Sequence, residues 1–194
     1  CERIGDAVKK VVGQDRGSSN NCLIAHRDGA AMDFETAPNQ WDCIFPEKGV
    51  IVHTNHFTSE RLKAMDTNVS LYPDTLVRFG RARQKIMAKA GEITVEDFKE
   101  VLRDHVNHPN SICRHPDERD PELEHVQTVA SIIMNLTQKE VHIASGPPCR
   151  NEGRRHRRNT KDQDIRDKKR QVRDEVEKCA ASCATDRRPG HIRP

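Results

Sequence analysis

Apolar residues recur at helical spacing in three stretches, at residues 2–13, 75–90 and 95–105. In the first stretch the apolar face consists of Ile4, Ala7, Val8, Val11 and Val12. Gly13 ends that pattern, and Gly91 ends the second one. Thr94 and Asp97 have the spacing of an N-cap pair, which predicts where the third helix begins.

Shorter apolar runs between these stretches predict β-structure. A strand centred on residues 22–25, an Asp-Gly turn at 28–29 and a returning strand at 30–35 form a predicted hairpin. We expect a loop between Pro38 and Pro46, then a third strand at residues 49–54. A second hairpin is predicted at 128–136 and 139–144, and Gly146-Pro147-Pro148 ends the ordered-looking part. This order favours an α+β fold, with antiparallel sheet covered by helices.

The charge pattern divides the chain near residue 150. The net charge of +3 combines a mildly acidic body with a tail rich in Lys and Arg. We therefore predict one domain over residues 1–150 and a basic tail over 151–194, either disordered or a solvated helix. No run is long and apolar enough for a membrane span. The seven irregularly spaced cysteines indicate reduced thiols in an intracellular, cytoplasmic protein.

Several motifs, in order along residues 1–150, resemble one family. They are Ser-Ser-Asn-Asn at 18–21, Gly-Val-Ile-Val-His-Thr-Asn-His-Phe at 49–57, Ser-Ile-Cys-Arg-His at 111–115, Thr-Val-Ala-Ser-Ile-Ile at 128–133 and Gly-Pro-Pro-Cys at 146–149. The set is similar to the acyl-coenzyme A:isopenicillin N (6-aminopenicillanic acid) acyltransferases, which are N-terminal-nucleophile cysteine hydrolases. The resemblance implies part of a four-layer αββα sandwich and a precursor that cuts itself in front of a nucleophilic cysteine.

The resemblance also implies site residues and partners. Asn55 matches the family's oxyanion-stabilising asparagine, and its neutral amide suits a developing negative charge. His53 and His56 are expected to bind substrate, and Arg114 to hold a carboxylate or a phosphate. For Arg114 a structural ion pair with Asp104 or Glu118 is an equal alternative. The implied partners are an acyl donor such as acyl-coenzyme A and an amine acceptor, with no cofactor.

Two departures from the family pattern qualify this expectation. Residues 124–125 read Glu-His where the penicillin enzymes have Ser-Arg, which counts against a penicillin substrate. Cys1 leads directly into the first predicted helix, so it does not match the family's nucleophile, which begins a strand. We therefore expect the nucleophile segment to be missing, the chain to be marginally stable, and acyl transfer by the chain alone to be absent.

Other constellations are weaker. His53 and His56 with Cys22 or Cys43 lack the tight paired spacing of zinc sites, so no metal site is predicted. Cys113 and His115 share a face if extended, but nothing in the sequence supplies a third, orienting group. The basic tail is the one feature that favours a different class, a non-catalytic protein that binds nucleic acid or an anionic surface. Its lack of aromatic residues and its interspersed acids count against nucleic acid.

Overall fold

The computed structural model describes residues 3–157, and these form an α+β fold as predicted. The chain divides into two compact units, Cys1–Asn107 and His108–Pro194. The expectations for Cys1 and for the tail beyond residue 157 lie outside the described residues. None of the described helices is both long and apolar enough to span a bilayer. The four-layer sandwich stays a prediction.

The first unit contains a three-stranded antiparallel sheet in the order β1 (Asn20–Ala25), β2 (Ala31–Ala37) and β3 (Gln40–Ile44). The predicted β1–β2 hairpin is confirmed, with Cys22 opposite Phe34. Its turn uses Gly29 at φ 90°, a left-handed conformation that glycine adopts without steric cost. In the central strand β2, all five residues from 33 to 37 are buried, including Asp33 and Glu35.

The loop predicted between Pro38 and Pro46 is wrong, because β3 occupies most of it. β2 and β3 are joined by the two residues Pro38 and Asn39, with Ala37 paired to Gln40. Asn39 has φ 60°, which asparagine tolerates, and proline favours the first central position of a tight turn. Pro38 therefore reverses the chain between two strands, and it does not begin a long loop.

The third strand predicted at residues 49–54 is also wrong. A single bridge joins Glu47 and Val50 around a turn, with Lys48 at φ 50° and Gly49 at φ 78°. Residues 51–54 belong to no described sheet. The last two residues of this segment, His53 and Thr54, are held by side-chain hydrogen bonds, which a short apolar run in the sequence cannot reveal.

The predicted helices are confirmed with small shifts in their ends. They are α1 (Ile4–Val12), α3 (Asp74–Met87) and α4 (Val95–Leu102), and a short α2 (Asn68–Leu71) precedes α3. A single 3₁₀ turn, Lys63–Met65, lies before α2. Asp104 ties α3 to the end of α4, because it accepts hydrogen bonds from Arg81 Nε at 2.9 Å and Lys85 Nζ at 3.1 Å.

The second unit contains another three-stranded antiparallel sheet. The predicted hairpin is confirmed as β4 (Ala130–Asn135) and β5 (Glu140–Ser145), preceded by a 3₁₀ turn at Glu122–Glu124. A third strand, β6 (Arg154–Arg157), pairs with β5 beyond the point where order was predicted to end. Arg155 Nη2 forms an ion pair with Oε1 of the buried Glu140 of β5, at 3.1 Å. Basic residues near 155 therefore belong to the sheet.

The N-cap of α4 gives a direct test of local stability. Thr94 Oγ1 accepts from the Asp97 backbone N–H, while the Asp97 carboxylate accepts from the Thr94 backbone N–H. We expect Thr94→Ala to lower the free energy of unfolding by about 1 kcal/mol, measured by urea denaturation. Thr67→Ala is the matched control, because Thr67 precedes α2 but makes no side-chain cap. Equal losses in the two variants would contradict the role of the cap.

Candidate functional site

A buried carboxylate at the centre of the first sheet is the starting point of the site. Glu35 has no solvent exposure, and its two oxygens accept four hydrogen bonds from one neighbouring segment. The donors to Oε1 are His53 Nε2 at 2.7 Å, the Thr58 backbone N at 2.6 Å and Thr58 Oγ1 at 2.9 Å. The Ser59 backbone N donates to Oε2 at 3.0 Å. Glu35 therefore fixes both ends of residues 53–59.

The hydrogen-bond partners of Glu35 and His53 determine the pKa shifts of both side chains. Burial alone would raise the pKa of Glu35, but the hydrogen bonds from His53 and from the backbone of Thr58 and Ser59 lower it from 4.5 to about 2. Burial opposes the charged form of His53 as well, yet the carboxylates of Glu35 and Asp33 raise its pKa above 6.5. Below the raised pKa of His53, the two side chains form a buried ion pair.

The middle of the same segment is held by Thr75, a fully buried residue in the first turn of α3. Thr75 Oγ1 accepts a 3.0 Å hydrogen bond from the Asn55 backbone N–H and lies 3.0 Å from His56 Nδ1. Thr54 Oγ1 donates to the Thr75 carbonyl at 3.1 Å. Burial lowers the pKa of His56, so this ring stays neutral beside the edge of Phe79.

Residues around α2 hold the segment from another side. Asn68 Nδ2 donates to the Asn55 carbonyl at 2.8 Å. Asp66 accepts from the Phe57 backbone N–H through one oxygen and from the Asn68 backbone N–H, at 2.7 Å, through the other. Both backbone polar groups of Asn55 are therefore engaged. Its position is determined by neighbours on two different elements.

The side chain of Asn55 lies on a polar cleft of about 350 Å³. The residue is exposed, and its carboxamide has no hydrogen-bond partner among the described residues. Three stretches line the cleft: residues 19–21 at the start of β1, residues 53–57, and residues 65–68. The Ser-Ser-Asn-Asn and His-Thr-Asn-His motifs, about thirty residues apart in the chain, thus meet at one place. An amide donor on a fixed backbone is suited to bind a negatively charged oxygen.

The structure brings three of the four predicted site residues together in the first unit. His53, Asn55 and His56 all line the cleft. The rings of both histidines are already bonded to protein groups, His53 to Glu35 and His56 to Thr75 and Thr54. Arg114 is a half-buried residue of the second unit, and its backbone exchanges two hydrogen bonds with Thr128.

Sequence reasoning missed the residues that hold Asn55. The sequence patterns predict Glu35 only as the end of a strand, and Thr75 only as the start of a helix. A signal was present in the first case, because Asp33 and Glu35 alternate with apolar residues and so place two acids on one face of a strand. Buried acids require donors, and such donors are found in the loop that follows the sheet.

Other cysteine and histidine groupings also have definite positions. The His53 ring bonds to Glu35 and the His56 ring to Thr75. In a zinc site with Cys22 or Cys43, both rings would instead bind the same ion. In the second unit, Cys113 Sγ lies 3.6 Å from His115 Nε2, so the two side chains do share a face. Cys149 Sγ, which is distant in the sequence, lies 3.4 Å from the same nitrogen.

Comparison with known proteins gives one family. Residues 1–150 match the family model described as acyl-coenzyme A:6-aminopenicillanic acid acyl-transferase. The match covers most of the 194 residues and includes every motif on which the resemblance rests. A search of curated proteins found no match.

The buried ion pair predicts a specific pH dependence. Glu35→Gln should lower the free energy of unfolding by about 3 kcal/mol, because it leaves His53 without its charged partner. The stability that Glu35 contributes is fully present above pH 4.5, and it is lost as the pH falls towards 2. The stability that His53 contributes is fully present below pH 6.5. It is lost as the pH rises through the raised pKa of His53 in the folded protein. Urea unfolding at a series of pH values should therefore give the largest difference between pH 4.5 and 6.5.

Glu60→Gln is the control for that experiment. Glu60 pairs with Lys63 on the surface and its side chain is 87% exposed, so the change should cost less than about 0.5 kcal/mol. A loss in Glu35→Gln that is the same at every pH would show that the ion pair is absent in solution.

Proposed function

The chain belongs to the acyl-coenzyme A:6-aminopenicillanic acid acyl-transferase family, and from that premise we propose that its first unit stabilises the oxyanion of an acyl-transfer or amide-hydrolysis reaction. Asn55 is the proposed donor. The observation that supports this role is the contrast within one residue: a backbone bonded on both sides, and a carboxamide exposed on a cleft.

The chemistry follows from the properties of the amide. Attack of a nucleophile on a thioester or amide carbonyl turns its oxygen into an oxyanion, which needs hydrogen-bond donors already in place. The side-chain N–H of Asn55 is such a donor. It is neutral, so it gains most when the negative charge develops and does not bind the uncharged carbonyl strongly. We propose a cysteine nucleophile, as the family resemblance implies; the residues that line the cleft include none.

The two histidines have a positioning role in this proposal. The ion pair of His53 with Glu35 and the hydrogen bond of His56 to Thr75 hold the backbone on either side of Asn55. Both rings also line the cleft, so substrate groups can contact their exposed edges. A misplacement of the donor by about 1 Å can reduce the rate roughly 100-fold, which explains why so many bonds converge on this short segment.

The proposed substrates are an acyl donor, with acyl-coenzyme A as the example that the family description provides, and an amine acceptor or water. The cleft is polar and lined by asparagine, serine, threonine and histidine side chains, which can bind the amide and carboxylate groups of such substrates. Arg114 remains a proposed ligand for a carboxylate or phosphate.

Substitution of Asn55 tests the proposal. In a form of the protein that carries the proposed cysteine nucleophile, Asn55→Ala should reduce kcat for acyl transfer to an amine by roughly 100- to 1000-fold, with a much smaller change in KM. The assay follows the release of free coenzyme A thiol from an acyl-coenzyme A. Asn55→Asp should be at least as impaired, because it places a negative charge where the oxyanion forms.

Asn135→Ala is the matched control, since Asn135 caps the β4–β5 turn in the second unit and does not line the cleft. Its kcat should equal that of the parent. If Asn55→Ala turns over as fast as the parent while both proteins unfold at the same temperature, the oxyanion is stabilised elsewhere and the proposed role is wrong.

A further inference from the structure

Three potential metal-ligand atoms converge in the second unit. They are Cys113 Sγ, His115 Nε2 and Cys149 Sγ, and all lie within 4.8 Å of one another. His115 Nε2 is 3.6 Å from the first sulfur and 3.4 Å from the second. Cys113 and His115 are buried, whereas Cys149 is exposed, so the cluster has one side open to solvent.

Two segments of the second unit bring these atoms together. Cys113 and His115 are two residues apart, and their side chains lie on the same side of the chain, with Sγ 3.6 Å from Nε2. Arg114, between them, is fixed by reciprocal hydrogen bonds with Thr128, just before β4. Ser111 Oγ donates to the Cys113 carbonyl at 2.6 Å and fixes the start of the segment.

Cys149 comes from the turn that follows β5. Gly146 has φ 74°, and a Cβ at this position would lie 3.0 Å from Asn151 Nδ2, so the turn requires glycine. The Gly146 backbone N–H donates to the Val129 carbonyl at 2.7 Å, and the Arg150 N–H donates to the Pro147 carbonyl at 3.0 Å. The β4–β5 hairpin therefore determines where Cys149 is placed.

The distances agree with tetrahedral coordination. Zinc lies about 2.3 Å from a thiolate and about 2.05 Å from an imidazole nitrogen, which at a tetrahedral angle puts sulfur and nitrogen about 3.6 Å apart. Both observed sulfur–nitrogen distances are close to this value. Hydrogen bonding explains the arrangement less well, because a neutral imidazole nitrogen has one lone pair and two thiols approach it. An ion between the three atoms would satisfy all of them.

We propose that Cys113, His115 and Cys149 bind a thiophilic divalent cation, with zinc as the preferred ion. Thiolate and imidazole ligands together suit zinc and exclude magnesium and calcium, which take oxygen ligands. On binding, each thiol gives its proton to solvent and the His115 Nε2 lone pair coordinates the ion. A fourth coordination position is left for a ligand other than these three. The inference rests on residues of the second unit and does not depend on the oxyanion proposal.

The main alternative is a reactive cysteine paired with a histidine. A nucleophile–base pair needs one thiol at the imidazole nitrogen, whereas here Cys149 Sγ lies 3.4 Å from the same His115 Nε2 that Cys113 Sγ approaches. A bound metal ion accounts for both thiols, because each coordinated thiol is deprotonated and donates through sulfur. A bond between the two cysteines is the other alternative, and the experiment below separates it from metal binding.

The test uses the full chain, stripped with a chelator under reducing conditions and then loaded with Zn²⁺ or Co²⁺ and desalted. We expect about one zinc per chain by elemental analysis, and for cobalt a thiolate charge-transfer band with the intense visible bands of tetrahedral geometry. Cys149→Ala removes an exposed ligand, so it should fold normally and weaken the binding of zinc roughly 100-fold or more. Cys113→Ser should abolish the cobalt charge-transfer band or change it strongly.

Cys43→Ala is the matched control, because Cys43 is a half-buried cysteine of β3 in the first unit. It should retain zinc and the cobalt spectrum of the parent. Three results would overturn the proposal: no retained zinc in the parent, zinc retention that Cys149→Ala does not affect, or a bond between Cys113 and Cys149 in protein purified under reducing conditions.

Discussion

A carboxylate that is completely removed from water must be compensated by charge and hydrogen bonds, and in this protein that requirement falls on Glu35. Its neighbours in the central strand cannot meet it, because their backbone groups are used in the sheet. The compensation comes from the segment that runs from His53 to Ser59, which supplies a cation and three neutral donors. One buried acid thus converts a stretch without regular secondary structure into a defined part of the fold.

The site depends on that constraint. With its ends fixed by Glu35 and its middle fixed by Thr75, the segment can present Asn55 with both backbone groups bonded and the carboxamide on the cleft. A catalytic donor must be in place before the charge develops, since reorganisation during the reaction would cost part of the benefit. The bonds that stabilise the first unit are therefore the same bonds that position Asn55, the proposed donor, in a chain that belongs to an acyl-transferase family.

The sequence predicted what local rules govern and missed what depends on distant partners. Periodicity and the Thr94 cap located the helices, and the Asp-Gly turn located the first hairpin. β3 was missed because Pro38 was interpreted as the start of a loop, although a proline followed by asparagine also suits a tight turn between strands. Residues 49–54 have the composition of a strand, yet His53 and Thr54 are held by side-chain hydrogen bonds to Glu35 and Thr75. Cys149 is 34 residues from His115, so no local spacing could indicate that they meet.

Hydrogen exchange at Thr58 and Ser59 tests the central claim most directly, because their amide protons are the ones that Glu35 accepts. In the parent near pH 6 these amides should exchange about as slowly as those of the β1–β2 hairpin. In Glu35→Gln they should exchange roughly 100-fold faster relative to the hairpin amides of the same sample, as a locally released segment would. Unchanged protection of both amides in the variant would show that the segment is held by other contacts, and the account built on Glu35 would be wrong.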